Sequence, residues 1–264
     1  MFRGVLRKMI TEKEVPIRYF LDLEDDFLVM NRFLGRNLKI TYDGSQCLNC
    51  YQSKPIFRQG FCKQCFFDIP SAGDWVMRPE LSKAHLGQAD RNLEYESKIQ
   101  LQPHVVYLAL SSHLKVGVTR KSQLPTRWID QGAHEASLVL EVPNRYLAGV
   151  GEVALKEFFS DKTNWRKMLQ NEAESVNWDE ARNKALDVIP KDLKPYVFRN
   201  SINIHTQVFP VIKHPEKVKS LNLNRTPLYK GKLIGIKGQY LIFEDGTVFN
   251  VRSNEGQRIE LQID

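Results

Sequence analysis

The chain has 264 residues, of which 42% are hydrophobic and 26% are charged, and its formal net charge at pH 7 is +7. This composition predicts a globular protein of one large or two small domains and excludes a disordered chain. The longest uninterrupted apolar run, residues 105–110, is far shorter than the roughly 20 residues that cross a bilayer. Because no secretory-type apolar segment follows Met1, we expect a cytoplasmic protein without a membrane partner.

Residues 1–45 and the last 35 residues both show strand patterns. Residues 17–23 and 38–42 alternate apolar with polar side chains, as strands with one buried face do. Four more short strands are predicted at residues 232–236, 240–243, 247–251 and 259–263. Residues 1–45 are too few to bury a core alone, so we expect the two chain ends to pair into one small barrel-like β domain. The alternative is two separate hairpins packed on the core.

All four cysteines of the chain lie in two Cys-x-x-Cys pairs, Cys47 with Cys50 and Cys62 with Cys65. Two such pairs separated by eleven residues bring four thiolates within reach of one tetrahedral zinc ion. Gln59-Gly60 supplies the turn between them. The pattern predicts a structural zinc ribbon at the start of a segment that spans residues 46–103. Two disulfides are the alternative, which a reducing cytoplasm disfavours.

Residues 104–171 predict the central unit of the chain. Residues 104–112 are mostly apolar and β-branched, as in a strand buried on both faces, and residues 114–120 predict a second strand after a two-residue turn. The two strands predict a hairpin. A short helix opening at Arg127, a strand near 138–142 and a helix over about 145–159 complete the order ββαβα. The expected fold class is therefore α+β.

A helical extension (residues 172–212) and a basic strip with the C-terminal β segment (residues 213–264) complete the predicted organisation. Between residues 213 and 238 there are seven cationic side chains and one acid. This pattern indicates either a nucleic-acid-binding surface or a solvated connector. If the surface binds DNA or RNA, the side chains expected to contact it are Lys230, Lys232, Lys237 and Arg120.

Four short motifs give residues 104–171 a resemblance to the GIY-YIG nuclease superfamily. The family's first motif ends in a Tyr, matched by Tyr107, and its second motif is matched by Lys115-Val-Gly. Arg127 stands where the family has an Arg, and Glu152 begins a run close to the family's Glu-x-x-Leu-x-x-x-Phe pattern. The resemblance implies a GIY-YIG-like core.

A second resemblance covers nearly the whole chain. The four cysteines, together with the phrases at residues 125–133, 161–165 and 235–243, resemble an uncharacterised bacterial family known as a domain of unknown function. This family implies no activity. It supports the combination of a four-cysteine ribbon and a GIY-YIG-like core in one protein.

The nuclease resemblance implies metal-dependent cleavage of phosphodiester bonds in DNA or RNA. Glu152 would hold a magnesium or manganese ion, Arg127 would neutralise charge on the phosphate, and Tyr107 would position or deprotonate the attacking water. Such cleavage depends mainly on charge stabilisation. Lys115 replaces the Tyr of the second motif, and it could contact a phosphate but would handle a proton only with a strongly lowered pKa.

Each of these residues also has an ordinary structural interpretation. Tyr107 would then fill the core, and Arg127 would pair with an acid near the start of its helix. Glu152 stands among small or apolar residues, where an unpaired carboxylate is costly, so it requires a metal or a cation partner. The alternatives to a nuclease are a non-catalytic nucleic-acid or ribonucleoprotein binding protein that retains the fold, and an enzyme with an apolar small-molecule pocket beside Tyr107.

Overall fold

A computed structural model describes residues 1–23, 26–160, 162–198 and 203–264. The strands are β1 (Phe2–Val5), β2 (Ile10–Glu12), β3 (Arg18–Leu23), β4 (Asp26–Val29), β5 (Asn37–Ser45), β6 (His104–Leu110), β7 (Leu114–Arg120), β8 (Glu135–Val142), β9 (His205–Thr206), β10 (Lys219–Ser220), β11 (Leu228–Lys237), β12 (Tyr240–Phe243), β13 (Thr247–Asn250) and β14 (Gln257–Ile263). The helices are α1 (Lys63–Asp68), α2 (Asp74–Met77), α3 (Leu93–Gln100), α4 (Thr126–Asp130), α5 (Arg145–Lys156), α6 (Trp165–Gln170) and α7 (Trp178–Val188). The predicted α+β class is confirmed.

The chain forms two compact units. Unit 1 consists of Met1–Asp68, Leu169–Asn171 and Gln207–Asp264, and unit 2 consists of Ile69–Met168 and Glu172–Thr206. In sequence, unit 2 is therefore an insertion within unit 1. Among the helices in the described ranges, none is both long and apolar enough to cross a membrane.

Unit 1 contains a seven-stranded sheet with the order β1-β14-β5-β11-β12-β13-β10. β14 pairs antiparallel with β1 and with β5, so the two chain ends pair directly. The expected barrel does not form, because the described strands make an open sheet with β1 and β10 at its edges. β11 pairs with β5 through residues 228–232 and with β12 through residues 233–237. The two parts of the sheet therefore share only this strand.

The predicted alternation is confirmed in β5 but not in β3, where Tyr19, Phe20 and Leu21 are all buried. In β5, Leu38 and Ile40 are buried while Lys39 and Thr41 are half-buried, which is the pattern of a strand with one face on the core. A separate three-stranded antiparallel sheet, in the order β2-β3-β4, completes the unit. Leu21 and Leu23 of β3 belong to its buried residues.

Unit 2 is built on a four-stranded sheet with the order β7-β6-β8-β9. β6 lies between β7 and β8 and all seven of its residues are buried, as predicted for a strand covered on both faces. Side chains of α5 and α7 pack on one face beside Val106 and Leu108, and Trp128 of α4 packs on the other face beside Tyr107. The element order ββαβα is confirmed.

The boundaries of this core differ from the prediction in small ways. β6 ends at Leu110, which pairs with Leu114, so the hairpin turn has three residues rather than two. α5 ends at Lys156 rather than near residue 159. The side chain of Asn144 accepts a hydrogen bond from the Leu147 N–H, a cap that determines where α5 begins.

Candidate active site and metal centre

The four cysteines lie together in unit 1. Cys47, Cys62 and Cys65 are buried, Cys50 is half-buried, and all four Sγ atoms lie within 4.8 Å of one another. Each is a free thiol rather than half of a disulfide. A tetrahedral zinc ion with bonds of about 2.3 Å holds its sulfur ligands roughly 3.8 Å apart. The cluster could therefore bind a metal such as zinc.

A tight hairpin brings the second pair of cysteines back to the first. The Phe57 N–H donates to the Phe61 carbonyl at 2.8 Å. Gln59 and Gly60 between them have φ angles of 53° and 78°, and positive φ at both central positions is the geometry of a two-residue type I′ turn. The predicted turn at Gln59-Gly60 is confirmed.

Hydrogen bonds around Cys47 favour its thiolate form. The backbone N–H of Cys62 donates to its Sγ atom at 3.3 Å. Burial raises the pKa of Cys47, but hydrogen bonds from the backbone of Cys50, Cys62 and Asn49 outweigh burial and bring that pKa to about 6. Because the thiolate is the form that binds a metal, the loop stabilises the ligand state of this side chain.

In unit 2, Tyr107 lies on the middle strand of the sheet and is completely buried. Its hydroxyl donates to Gln131 Oε1 at 3.2 Å. Tyr107 is opposite Gly117 of β7, and a Cβ atom at Gly117 would lie 2.6 Å from the phenolic oxygen. The glycine of the second motif therefore makes room for the tyrosine of the first.

Arg127 and Glu152 both act on Tyr107. Burial raises the pKa of Tyr107, the charge and hydrogen bonding of Arg127 oppose that rise, and the charge of Glu152 adds to it. The structure thus places Arg127 of α4 and Glu152 of α5 within electrostatic range of Tyr107 on β6. The raised pKa keeps the phenol protonated, so Tyr107 is a hydrogen-bond donor at neutral pH.

Glu152 is only 8% exposed. Its Oε2 atom lies 3.4 Å from the Lys156 Nζ atom and accepts no hydrogen bond within the described residues. Burial raises the pKa of Glu152, whereas Lys156 and Arg145 lower it and Glu80 raises it further. Lys156 is therefore a cation partner of the kind expected from the sequence.

Glu80 is a neighbour of Glu152 that sequence reasoning missed. Its Oε1 atom accepts from Arg78 Nε at 3.1 Å, and its Oε2 atom is buried and accepts no hydrogen bond within the described residues. A Cβ atom at Gly149 of α5 would lie 2.3 Å from the Glu80 backbone nitrogen. The glycine allows the Glu80 backbone to touch the helix. Glu80 lies in no recognisable motif. The sequence signal that could have indicated a close backbone approach to α5 is the glycine at position 149.

Arg145, also missed, anchors the start of α5. Its Nε atom donates to the Trp75 carbonyl at 3.0 Å and its Nη2 atom donates to the Val76 carbonyl at 2.7 Å. Burial lowers the pKa of Arg145 to about 10, with the charge of Glu152 opposing this effect and those of Arg127 and Arg120 adding to it. Arg145 is therefore within electrostatic range of Arg127, of Arg120 and of Glu152.

Lys115, the replacement in the second motif, lies on β7 two residues before Gly117 and therefore faces the same side of the sheet as Tyr107. It is buried. Its Nζ atom donates to Thr163 Oγ1 at 2.5 Å. Asp161, the first residue of the phrase at 161–165, lies outside the described residues.

The basic strip contains an ordered strand, so the connector interpretation is wrong for residues 228–237. The Lys230 Nζ atom lies 2.8 Å from Asp264, and the Lys232 Nζ atom lies 3.0 Å from Glu244. Both side chains are exposed enough to meet a ligand, and Arg120 ends β7 half-buried. Lys237 is completely buried. Its expected contact with nucleic acid is therefore wrong for this conformation.

The described residues form a mixed α+β protein with a cluster of four cysteines that could bind a metal ion. The chain belongs to the family described as a protein of unknown function (DUF2797), whose model matches residues 35–259. A search of curated proteins gave no match, and neither did a search of solved structures. The resemblance to an uncharacterised family is confirmed, whereas the likeness to the GIY-YIG superfamily stays a prediction.

Proposed function

We propose that this protein is a metal-dependent phosphodiesterase that cleaves DNA or RNA through a GIY-YIG-like active site in unit 2. The observation that carries the proposal is the convergence of Tyr107, Arg127 and Glu152. These residues come from three elements, and they match the positions that the resemblance to the GIY-YIG superfamily indicates. A phenol can orient a water, a guanidinium can neutralise charge on a phosphate, and a buried carboxylate can hold a metal ion.

The residues around Glu152 fit a divalent cation. Oε2 of Glu80 is buried and accepts no hydrogen bond within the described residues, and a metal ion would replace Lys156 as the charge partner of Glu152 Oε2. Magnesium takes one or two protein carboxylates and keeps several waters. Glu152 would hold the ion with Glu80 as a second acid beside it, and the bound ion would neutralise charge on the scissile phosphate. Manganese accepts the same oxygen ligands.

Arg127 and Tyr107 supply the remaining chemistry. The guanidinium of Arg127 binds a phosphate oxygen through two parallel N–H donors, a geometry that lysine lacks. Tyr107 stays protonated because burial raises its pKa. Its oxygen therefore accepts a hydrogen bond from the attacking water and orients it, and the proton of that water passes to a non-bridging oxygen of the substrate phosphate. Lys115 contributes positive charge on the same face of the sheet.

The four-cysteine cluster has a structural role in the proposal. Four protein thiolates complete a tetrahedral zinc site and leave no position for a substrate. The residues present fit this ion by their spacing and by the lowered pKa of Cys47. Zinc bound there would hold the hairpin over residues 57–61 against the loop at Cys47.

A second candidate function is nucleic-acid or ribonucleoprotein binding without cleavage, and the burial of Tyr107 and Lys115 favours it. The Tyr107 hydroxyl is already bonded to Gln131 and the Lys115 ammonium to Thr163. A group that orients the attacking water has to be accessible to the substrate. If Tyr107 and Lys115 stay buried, the protein would bind nucleic acid without cleaving it.

The test is cleavage of labelled single- and double-stranded DNA and RNA with magnesium or manganese. We expect Glu152→Gln to abolish cleavage, because several kcal/mol of lost charge stabilisation corresponds to a rate loss of roughly a thousandfold or more. Nucleic-acid binding should survive. The matched control is Glu157→Gln, which removes an exposed carboxylate just after the same helix and should cleave at the wild-type rate.

Two results would reject the nuclease. Wild-type protein that binds but never cuts with either metal would favour the binding protein. Cleavage by Glu152→Gln at the wild-type rate would assign the activity to another site or to a contaminant. A thermal melt of both variants shows whether the substitution acts through folding, because Glu152→Gln leaves Lys156 without its buried partner.

A further inference from the structure

The metal-binding ribbon of unit 1 carries a cluster of three phenylalanines on its surface. The ring centroids of Phe57 and Phe66 are 5.4 Å apart, those of Phe57 and Phe67 are 5.8 Å apart, and those of Phe66 and Phe67 are 5.4 Å apart. Phe57 is 43% exposed and Phe67 is 55% exposed. A contiguous exposed aromatic group of this kind marks an interaction surface.

The three rings are carried by the hairpin and the short helix that also carry Cys62 and Cys65. Phe57 begins the hairpin that leads to Cys62, and Phe66 and Phe67 follow Cys65 in α1. The Phe66 N–H donates to the Cys62 carbonyl at 2.9 Å. Two of the ring pairs are edge-to-face, and Phe67 is the most exposed of the three rings, so it is the ring that a further planar group would contact.

Positive charge surrounds the cluster. The Arg58 guanidinium lies 5.3 Å from the centroid of the Phe57 ring, and Arg58 and Lys63 are exposed. Residues 51–68 contain three basic side chains and one acidic side chain. Open aromatic rings next to cations are complementary to a nucleotide, whose base stacks on the ring and whose phosphate meets the cation.

We propose that the phenylalanine cluster and Arg58 form a binding surface for unpaired bases of single-stranded DNA or RNA. The inference rests on the proposed function for its class of ligand, but it concerns a site in unit 1 and requires no cleavage. Bases in a duplex are stacked on each other and are not accessible to a protein ring. The surface therefore selects single strands over duplexes.

The experiment measures fluorescence anisotropy of labelled single strands and duplexes of equal length, with the Glu152→Gln protein to prevent cutting. We expect Phe67→Ala to weaken single-strand binding about tenfold and to leave duplex binding unchanged. Phe67→Trp should restore binding, whereas Phe67→Leu should not, because leucine keeps apolar area but no ring. Phe27→Ala is the matched control, since Phe27 is 58% exposed and lies on β4 rather than in the ribbon.

Metal content and a thermal melt of each variant verify that the ribbon is intact. Unchanged single-strand affinity in Phe67→Ala would overturn the inference, and so would restored affinity in Phe67→Leu. Binding to anionic lipid vesicles is measured in parallel, and an effect of Phe67→Ala on vesicle binding alone would also overturn it. Rescue by leucine would indicate an apolar protein surface, and the vesicle result would indicate a membrane surface. The proposed nuclease function can fail separately from this inference. In that case the wild-type protein would bind single strands through Phe67 but would not cut them.

Discussion

The buried lysine at the end of β11 predicts how the stability of unit 1 depends on pH. The Lys237 Nζ atom donates to Asn171 Oδ1 at 3.1 Å and lies 5.4 Å from the centroid of the Phe209 ring. Burial lowers the pKa of Lys237 from 10.5 to about 7. Between those values the unfolded chain binds one more proton than the folded protein. The free energy of unfolding therefore rises with pH over this window.

The size of the effect follows from the two pKa values. Their difference of about 3.5 corresponds to about 5 kcal/mol, which is the cost that the folded protein carries below pH 7. Lys237→Met removes the cation and keeps an apolar stem of similar length. At pH 6 to 7 we expect the variant to be more stable than the wild type by up to that amount, less about 1 kcal/mol for the hydrogen bond to Asn171.

The assay is urea unfolding at several pH values from 6 to 10. All four tryptophans belong to unit 2, so fluorescence reports that unit, and unit 1 is followed by amide hydrogen exchange. Lys232→Met on the same strand is the matched control and should not change the pH dependence. Parallel stability curves of wild type and Lys237→Met would refute the argument, because they would show that Lys237 stays charged when folded.

Two further predictions concern the ribbon and α5. Zinc should copurify at one equivalent per chain, and its removal by a chelator should unfold the region around Cys47–Cys65 at a cost on the order of 10 kcal/mol. Elemental analysis measures the zinc content and hydrogen exchange measures the unfolding. Metal-free protein with an ordered ribbon would disprove the site. Gly149→Ala should destabilise unit 2 by about 1 to 3 kcal/mol, because the new methyl group overlaps the Glu80 backbone. A thermal melt against Val153→Ala, an exposed position on the same helix, decides that point, and equal melting temperatures would contradict it.

Local spacing was enough to predict the cysteine cluster and the hairpin that contains Tyr107. A Cys-x-x-Cys loop brings its two thiols together whatever the rest of the chain does, and β6 pairs with the next strand across a three-residue turn. The motif order also indicated that Arg127 and Glu152 belong near Tyr107. These features depend on neighbours in sequence or on a family pattern, and both can be read without coordinates.

Features that depend on distant contacts could not be predicted. Arg145 donates hydrogen bonds to carbonyl groups about 70 residues earlier in the chain. The Glu80 backbone contacts α5 at Gly149, and this contact places Glu80 near Glu152 on the same helix. The burial of Lys237 has the same origin, because it depends on Asn171 and Phe209, which lie far away in sequence. Side-chain alternation identifies the face of a strand, but it does not show which segment covers that face.

The place of β14 between β1 and β5 has a consequence for synthesis on the ribosome. About 210 residues separate the end of β5 from the start of β14, which corresponds to roughly 10 to 40 s of translation. All residues of unit 2 are synthesised well before then. Until β14 is made, β1 and β5 each keep an unpaired edge, and an unpaired edge can pair with a strand of another chain. Nascent chains that stall before residue 257 should therefore aggregate through unit 1 while unit 2 is already folded.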